Sequence, residues 1–479
     1  MKRTKTILLL LLLVLTAPAA GQNYRITVRL EGRTDSMLYI ARHYLESLTP
    51  LDSARRKADG SYVFSGSRRW ERGIYALVDQ SRSKAIGDIT IDGSQRFELS
   101  ADAKLTPSSV KVKGCPANSQ MFAYMAKVQE ARDRMKAIGE RKKVEATKAQ
   151  AEADEKALDA EMKAYEAECL KQKDKILFFQ LVNLFSGPEV PDDVEDKSYY
   201  YRTHFWDGVF DGQKNGTPAP VLHNRSILYS PQLFNRVNYF FFGLLYYADC
   251  DTIIKELDGL MRRVESDTAL QRFILELITP KYFRSTKNIG WDAVWCHIAE
   301  TYYLPGRCPW ASEGTVYNMR YNYNRIRQSL IGAHGQELWM ADTNQSNDPK
   351  DWISSHRFPE KYVILWFWDP DCHHCQEQSE QLKILYDSLQ NAPDRRFEIY
   401  AVGFESDVPK WKKYVRDHKF KWVNVGGSNV NIDYQEAYNV HGAPTMIILN
   451  ENRDIIMNKV LPAKNLISFL ENYEKNRKR

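Results

Sequence analysis

One stretch, KYVILWFWDPDCHHCQEQSEQL at positions 361–382, constrains the fold of this chain more than any other. The residues from Tyr362 to Trp368 are all large and apolar, which predicts a fully buried strand that ends at Asp369. The next residues, CHHC, are followed by leucines at helical spacing, which indicates a helix that begins at Cys372. The sequence therefore predicts a buried strand that leads directly into a helix.

The two cysteines of this stretch predict redox chemistry. Cys372 and Cys375 lie three residues apart at the start of the predicted helix, so they occupy adjacent turns and can form a disulfide without moving the backbone. The unpaired backbone N–H groups of the first turn favour an anion, and Cys372, as the outer thiol, gains most as a thiolate. Cys375 lies one turn further in and suits the role of the resolving thiol.

Later segments extend the pattern. Val440 to Leu449 reads VHGAPTMIIL. Strands at 397–402 and 421–425 and helices at 408–418 and 434–438 are predicted before it, and a strand at 455–460 and a helix at 466–473 after it. Together with the CxxC helix, these segments resemble the thioredoxin superfamily and, within it, the secreted TlpA/ResA-like branch. The resemblance covers residues from about 330 onward and implies a C-terminal α/β thioredoxin fold with thiol–disulfide oxidoreductase activity.

The resemblance also implies roles for single residues. It implies a cis peptide bond before Pro444, a proline that faces the two cysteines, and a backbone at Ala443 that pairs with an extended substrate segment. Ala443, Pro444 and Trp368 are accordingly assigned to substrate binding. A cationic or hydrogen-bonding His374 would stabilise the thiolate of Cys372 and make the pair a stronger oxidant.

Two departures from the family leave one role open. Thioredoxins keep a buried acid six residues before the first cysteine, and this chain has Trp366 there. TlpA-like proteins often keep a glutamate three residues after the second cysteine, and this chain has Gln378. The proton acceptor for Cys375 is therefore unassigned. The direction of exchange is also open. A difference of about 30 mV in reduction potential corresponds to only about 1.4 kcal/mol, so a single hydrogen bond is enough to blur the distinction between a reductase and an oxidase.

A CxxC motif can also have roles other than thiol–disulfide exchange. It can form half of a zinc site, but no second CxxC or spaced histidine pair accompanies it. The residues before Cys372 lack the threonine and proline pattern of a peroxiredoxin, and a thioredoxin-like domain that serves only as a scaffold stays an alternative. We expect no metal and no cofactor other than the redox-active disulfide between Cys372 and Cys375.

The first residues predict export. Residues 1–20 begin with Lys2, Arg3 and Lys5, continue with an apolar run too short to span a bilayer, and end in APAA, as a secretory signal peptide does. No cysteine lies near the cleavage site, so we expect a periplasmic or otherwise exported protein without a lipid anchor or a later membrane span. In an oxidising compartment a reductase would need an upstream electron donor.

The sequence predicts a multidomain chain with an N-terminal β-sandwich at 21–115. The segment from Tyr24 to Leu30 alternates strictly between apolar and polar residues, as a half-buried strand does. Further short strands are predicted at 37–41, 62–64, 74–78, 89–91, 97–99 and 110–112. The region resembles the β domain of unknown function that often precedes TlpA-like thioredoxin domains.

An α-helical middle region follows. Residues 116–190 are rich in Ala, Lys and Glu, which predicts a charged helical hairpin that acts as a solvated arm, a spacer or a dimer seam. Residues 191–328 are predicted as a helical domain whose many aromatic residues form a core or line a ligand groove. The thioredoxin-like domain would occupy 329–479. Cys296 and Cys308 could pair with each other, or either with Cys250, but buried free thiols are favoured.

These observations support one function and one alternative. The first is an exported thiol–disulfide oxidoreductase that acts on partner proteins with disulfides or dithiols, in the narrowest case on the cysteines of haem attachment. The alternative is a cell-envelope binding or scaffold protein in which the thioredoxin-like domain is regulatory. The net charge of +6 is small for 479 residues and forms no basic stripe, so a nucleic acid is not an expected partner, whereas a homodimer is possible.

Overall fold

The computed structural model describes residues 23–82, 84–210, 213–214, 217–218, 225–284, 288–389, 392, 396–404 and 407–477. The predicted signal peptide at 1–20 lies outside these residues. The chain forms two compact units, one that extends to Leu244 and includes Arg262–Phe273, and one made of Leu245–Met261 and Ile274–Arg479. The helical stretch predicted as one domain at 191–328 is thus divided between both units. The boundaries between the five predicted segments stay predictions.

The strands are β1 (Tyr24–Glu31), β2 (Met37–Tyr44), β3 (Ser47–Arg55), β4 (Ser61–Gly66), β5 (Gly73–Val78), β6 (Ala85–Ile91), β7 (Arg96–Asp102), β8 (Lys111–Lys113), β9 (Gln213–Lys214), β10 (Thr217–Pro218), β11 (Trp339–Asp342), β12 (Ile353–Ser354), β13 (Tyr362–Trp368), β14 (Phe397–Gly403), β15 (Val423–Val430), β16 (Thr445–Leu449) and β17 (Ile455–Met457). The α-helices are α1 (Pro116–Lys142), α2 (Glu145–Leu170), α3 (Leu177–Phe185), α4 (Lys197–Thr203), α5 (Pro231–Tyr239), α6 (Cys250–Arg263), α7 (Thr268–Arg284), α8 (Trp291–Ile298), α9 (Glu313–Ile326), α10 (His373–Leu389), α11 (Val408–His418), α12 (Tyr434–Ala437) and α13 (Ala463–Arg477).

The N-terminal strands form two four-stranded sheets in the first unit, with the orders β4-β1-β7-β8 and β3-β2-β5-β6. Strand β1 buries every second residue, Tyr24, Ile26, Val28 and Leu30, as its alternation predicts. The buried ring of Trp70 makes edge contacts with Tyr24 of the first sheet at 5.5 Å and with Tyr75 of the second at 5.1 Å. One aromatic ring therefore joins the two sheets.

Strand β3 is absent from the sequence prediction. It is an edge strand that pairs with β2, and most of its residues are exposed or half-buried, so it lacks the alternation of a half-buried strand. Pro50 lies within it at a shift in the pairing register, which an edge position tolerates. Leu45, with φ of 53°, forms part of the tight turn between β2 and β3.

Helices α1 and α2 form an antiparallel hairpin in the first unit. Its apolar seam is thin and consists of Ile138, Ala151 and Leu158, against which Ala131 and Met162 pack. Charged pairs cross between the helices, namely Lys127–Glu161 at 2.7 Å, Arg134–Glu161 at 2.9 Å and Arg141–Asp154 at 2.7 Å. Because such solvated pairs contribute little each, the hairpin depends on several of them acting together.

Most of the aromatic residues at 199–303 pack in the interior of their own unit. The rings of Phe205, Trp206, Phe240 and Phe241 are buried in the first unit, and those of Tyr302 and Tyr303 in the second. Tyr199, Tyr239, Tyr246 and Tyr247 remain exposed. Within the described part of the chain, no helix has both the length and the apolar composition that crossing a bilayer requires.

The C-terminal sheet of the second unit has the order β12-β11-β15-β14-β13-β16-β17 and carries the thioredoxin fold that the sequence predicts. Strand β13 lies near its centre, parallel to β14 and antiparallel to β16. Alternate side chains of β13 enter two apolar layers, one packed with α10, α11 and α13 and the other with the residues around α12. Both faces of the strand are covered, so it contains no charged residue.

The element boundaries in this unit follow the prediction closely at several points. Helix α11 has the predicted bounds, and β14 and α12 differ from theirs by one residue. Strand β15 begins two residues later than predicted and continues to Val430. The short strands β11 and β12 were not predicted, because neither has enough residues to show a period.

Truncation of Ile364 tests the central position of β13. We expect Ile364→Ala to lower the free energy of unfolding of this domain by about 2–5 kcal/mol, because the side chain is fully buried and a cavity would remain. The matched control is Ile384→Ala on α10, where the side chain is 71% exposed and the expected change is within about 0.5 kcal/mol. Urea unfolding followed by tryptophan fluorescence measures both, and equal effects would contradict the assignment.

Candidate functional site

The site is built where β13 ends and α10 begins. The backbone N–H of Cys372 donates to the carbonyl of Asp369 at 3.1 Å, and the carbonyl of Cys372 accepts from the N–H of Gln376 at 3.0 Å. The backbone N–H of Cys375 donates to the Sγ of Cys372 at 3.2 Å. The sulfur of Cys372 therefore occupies the place of an N-cap acceptor, where a backbone donor and the helix dipole favour negative charge.

Cys375 differs sharply from Cys372 in its surroundings. Its side chain is completely buried, whereas Cys372 is half-buried and both are free thiols. Burial first, and then the hydrogen bond with Cys372, raise the pKa of the Cys375 thiol to about 12. Cys375 is therefore a protonated thiol at neutral pH.

The loop before β16 reaches the same sulfur. The Sγ of Cys372 lies 3.7 Å from the carbonyl oxygen of Ala443, to which the thiol donates, and the Ala443–Pro444 peptide bond is cis. Ala443 and Pro444 are both half-buried, and Gly442 beside them is exposed. The structure therefore brings Ala443 and its neighbour Pro444 to the cysteine pair, although their role in substrate binding stays a prediction.

The two histidines between the cysteines face solvent. The side chain of His374 is 82% exposed, and its Nδ1 lies 3.7 Å from the carboxylate of Glu377. The Nε2 of His373 lies 3.3 Å from the same carboxylate. Both imidazoles thus approach Glu377, and the tuning of Cys372 by His374 stays a prediction.

The assignment of Trp368 to substrate binding needs correction. Its side chain is 0% exposed and packs against Tyr414 and Phe420, with ring centroids 5.4 and 5.7 Å apart. Trp368 is the last residue of a strand that is covered on both faces, so its ring points into the apolar interior. A substrate at Cys372 has no access to it.

The position of the thioredoxin acid is filled by an uncharged pair. The Nε1 of Trp366 donates to the Oγ of Ser379 at 3.0 Å, and both residues are fully buried. The structure instead brings a charged residue, Asp369, to Cys375. In the sequence Asp369 indicates only the end of the strand. A backbone hydrogen bond with Asp369 lowers the pKa of Cys375, whereas the charge of its carboxylate raises it.

One family model matches the C-terminal part of the chain. Residues 360–455 match the thioredoxin-like family model. Among solved structures, a domain of a possible thiol-disulfide isomerase from Cytophaga hutchinsonii is 31% identical over 31% of this chain and 96% of that domain, with a TM-score of 0.27. No match was found among the curated proteins.

Two further solved structures come from Bacteroides. A thioredoxin-like protein from Bacteroides caccae is 16% identical and covers 60% of this chain and 98% of its own, with a TM-score of 0.45. The thioredoxin domain of a thiol-disulfide oxidoreductase from Bacteroides vulgatus is 23% identical over 30% of this chain and 96% of that domain, with a TM-score of 0.26.

Alkylation tests the difference between the two thiols. We expect iodoacetamide at pH 8 to modify Cys372 in the native protein and to leave Cys375 unmodified, because the latter is fully buried and its pKa of about 12 keeps it protonated. Cys308, which is also buried and whose pKa is also raised to about 12, should behave as Cys375 does. Mass spectrometry of the peptides provides the measurement, and urea-unfolded protein is the control in which every cysteine reacts. Equal modification of Cys372 and Cys375 in the native protein would contradict the expectation.

Proposed function

We propose that this chain, whose C-terminal domain belongs to the thioredoxin-like family of thiol–disulfide oxidoreductases, exchanges disulfides with partner proteins through Cys372 and Cys375. One observation carries the proposal. The Sγ of Cys372 accepts the backbone N–H of Cys375 at 3.2 Å, remains half-buried, and lies 3.7 Å from the carbonyl oxygen of Ala443. A nucleophilic sulfur is thus held at a helix start beside the half-buried backbone of a loop.

The first step is attack on the partner. The Cys372 thiolate attacks one sulfur of the partner's disulfide, a new S–S bond forms, and the partner's second sulfur leaves as a thiolate that takes up a proton. The loop at Ala443 would hold the partner's backbone beside the reacting sulfurs.

The second step releases the partner. Cys375 loses its proton and attacks the Sγ of Cys372, so that the Cys372–Cys375 disulfide forms and the partner's first sulfur leaves as a thiolate. Two electrons have then passed from the cysteine pair to the partner's disulfide. In the mixed disulfide the Cys372 sulfur is neutral, which removes its contribution to the raised pKa of Cys375 and leaves the contribution of burial.

Export of the chain, indicated by its first residues, is part of the proposed function. A signal peptide at 1–20 would export the chain to an oxidising compartment, where the cysteine pair is driven toward its disulfide unless an electron donor reduces it. The same steps in reverse would oxidise a partner's dithiol. The partners proposed are therefore exported proteins that contain disulfides or dithiols.

The reduction potential distinguishes the two directions. Equilibration of the pair with glutathione measures it, and we expect a value above thioredoxin's, which is about −270 mV, if His374 stabilises the thiolate. His374→Ala is expected to lower the potential toward that of thioredoxin, because it removes the side chain that would stabilise the thiolate. A potential equal to that of thioredoxin and unchanged by His374→Ala would show that His374 does not act on Cys372.

Trapping tests the proposed exchange. Cys375→Ser is expected to leave Cys372 joined to its partner in a stable mixed disulfide, because the resolving sulfur is missing. Cys372→Ser should capture nothing and should lose activity with a disulfide substrate, whereas Cys250→Ser, a half-buried cysteine outside the site, should have no effect. Capture is measured by non-reducing electrophoresis and mass spectrometry of exported proteins.

The same variants distinguish an oxidoreductase from the alternative, a binding or scaffold protein. A binding or scaffold protein would keep its ligand after Cys372→Ser, whereas an oxidoreductase loses its activity. If Cys375→Ser captures no partner while Cys372 remains reactive to iodoacetamide, the proposed exchange is wrong.

A further inference from the structure

The second unit contains a cavity of about 510 Å³ next to the cysteine site. One wall is formed by the loop before β16, including Gly442 and Pro444, and by Val460 after β17. The opposite wall is formed by the helices of the same unit and includes Phe283 on α7 and Trp295 on α8. The volume lies within the range of about 300–1,000 Å³ that is usual for ligand pockets.

The cavity borders the loop whose backbone contacts the reacting sulfur. Gly442 and Pro444 line it, and Ala443 lies between them in the chain with its carbonyl oxygen 3.7 Å from the Sγ of Cys372. An extended polypeptide advances about 3.3 Å per residue. A partner whose cysteine is bound to Cys372 therefore reaches the cavity within a few residues of that cysteine.

The walls of the cavity favour a large apolar side chain. The ring of Phe283 is 47% exposed and lies 5.1 Å from that of Trp295. The acidic group of the lining, Asp292, accepts a hydrogen bond from Asn458 at 2.6 Å and lies 3.7 Å from the Nζ of Lys459. Its charge is thus compensated within the protein. The exposed apolar surface of the lining is that of Phe283 and Val460, and it lies among polar side chains such as Arg284, Asn322 and His441.

A series of ring contacts leads from the cavity to two exposed tyrosines of the same unit. Tyr282, which lines the cavity, contacts Trp291 at 5.0 Å between ring centroids, and Trp291 contacts Tyr246 at 5.8 Å. Tyr246 in turn contacts Tyr247 at 4.8 Å, and Tyr247 is 95% exposed. Tyr282 and Trp291 are buried, so Tyr246 and Tyr247 are the rings of this series that a ligand can reach.

We propose that the cavity selects the substrate by binding an aromatic or large aliphatic side chain that lies near the reactive cysteine of the partner polypeptide. The inference rests on the proposed function, because Cys372 must first hold the partner's sulfur. The occupant is an extended, unfolded segment, since a side chain packed inside a folded partner is not free to enter. Burial of one such side chain is expected to raise the rate of exchange by about tenfold or more.

Two synthetic peptides test the inference on the full-length protein. Each carries one cysteine as a mixed disulfide with glutathione, and phenylalanine flanks the cysteine at two residues on either side in one peptide, serine in the other. The reduced protein converts each into free peptide and glutathione and becomes oxidised itself. We expect the phenylalanine peptide to react about tenfold faster than the serine peptide, as followed by mass spectrometry.

Substitutions in the cavity wall make the test specific. Phe283→Glu is expected to abolish the preference for the phenylalanine peptide and to leave the rate with oxidised glutathione unchanged. Tyr317→Glu is the matched control, because Tyr317 is an exposed aromatic residue of α9 outside the cavity lining, and it should keep the preference. Phe283→Leu should retain part of the preference and shows whether the site requires an apolar side chain.

The outcomes separate the two proposals. If oxidised glutathione and both peptides fail to react, the proposed oxidoreductase function is wrong. If all of them react but the two peptides react equally, or if the preference survives Phe283→Glu, the function stands and the selection by this cavity is overturned.

Discussion

The chemistry of the site rests on the hydrogen bond from the backbone N–H of Cys375 to the sulfur of Cys372. This bond forms because α10 begins shortly after β13 ends, which places the free N–H of Cys375, in the first turn of the helix, against the outer thiol. The turn between them is held by Asp369, which accepts from the backbone of Cys372 and, through its side chain, from that of Asp371. The buried strand, the turn and the helix thus act together to present one sulfur.

Burial on both sides of β13 explains why the strand that leads into the site could be predicted from the sequence. A strand that is covered by two layers must consist of apolar residues alone, and Tyr362–Trp368 is such a run. The same burial overturns the assignment of Trp368 to substrate binding, which came with the family resemblance, whereas the run of apolar residues had already placed this ring in the buried strand. The orientation of a side chain depends on the strand register and on the layers packed above it, and neither is written in the local sequence.

Other features depend on distant parts of the chain and could not be predicted. The exposed edge strand β3 and the short strands β11 and β12 acquire their structure from pairing with neighbours rather than from their own composition. The approach of the α7–α9 helices to the loop around Pro444 brings together residues more than 100 positions apart. The effect of Asp369 on the pKa of Cys375 depends on the fold, which brings the two residues together. In the sequence, the spacing of Asp369 does not distinguish it from an ordinary turn residue.

The two outer strands of the C-terminal sheet have a consequence for how another chain can approach. Strand β12 has two residues and β17 has three, so the sheet offers very little unpaired backbone at either border. Short borders of this kind resist the addition of foreign strands, and they protect a protein from self-assembly through its sheets. The rim of the sheet therefore leaves little room for main-chain pairing with another polypeptide.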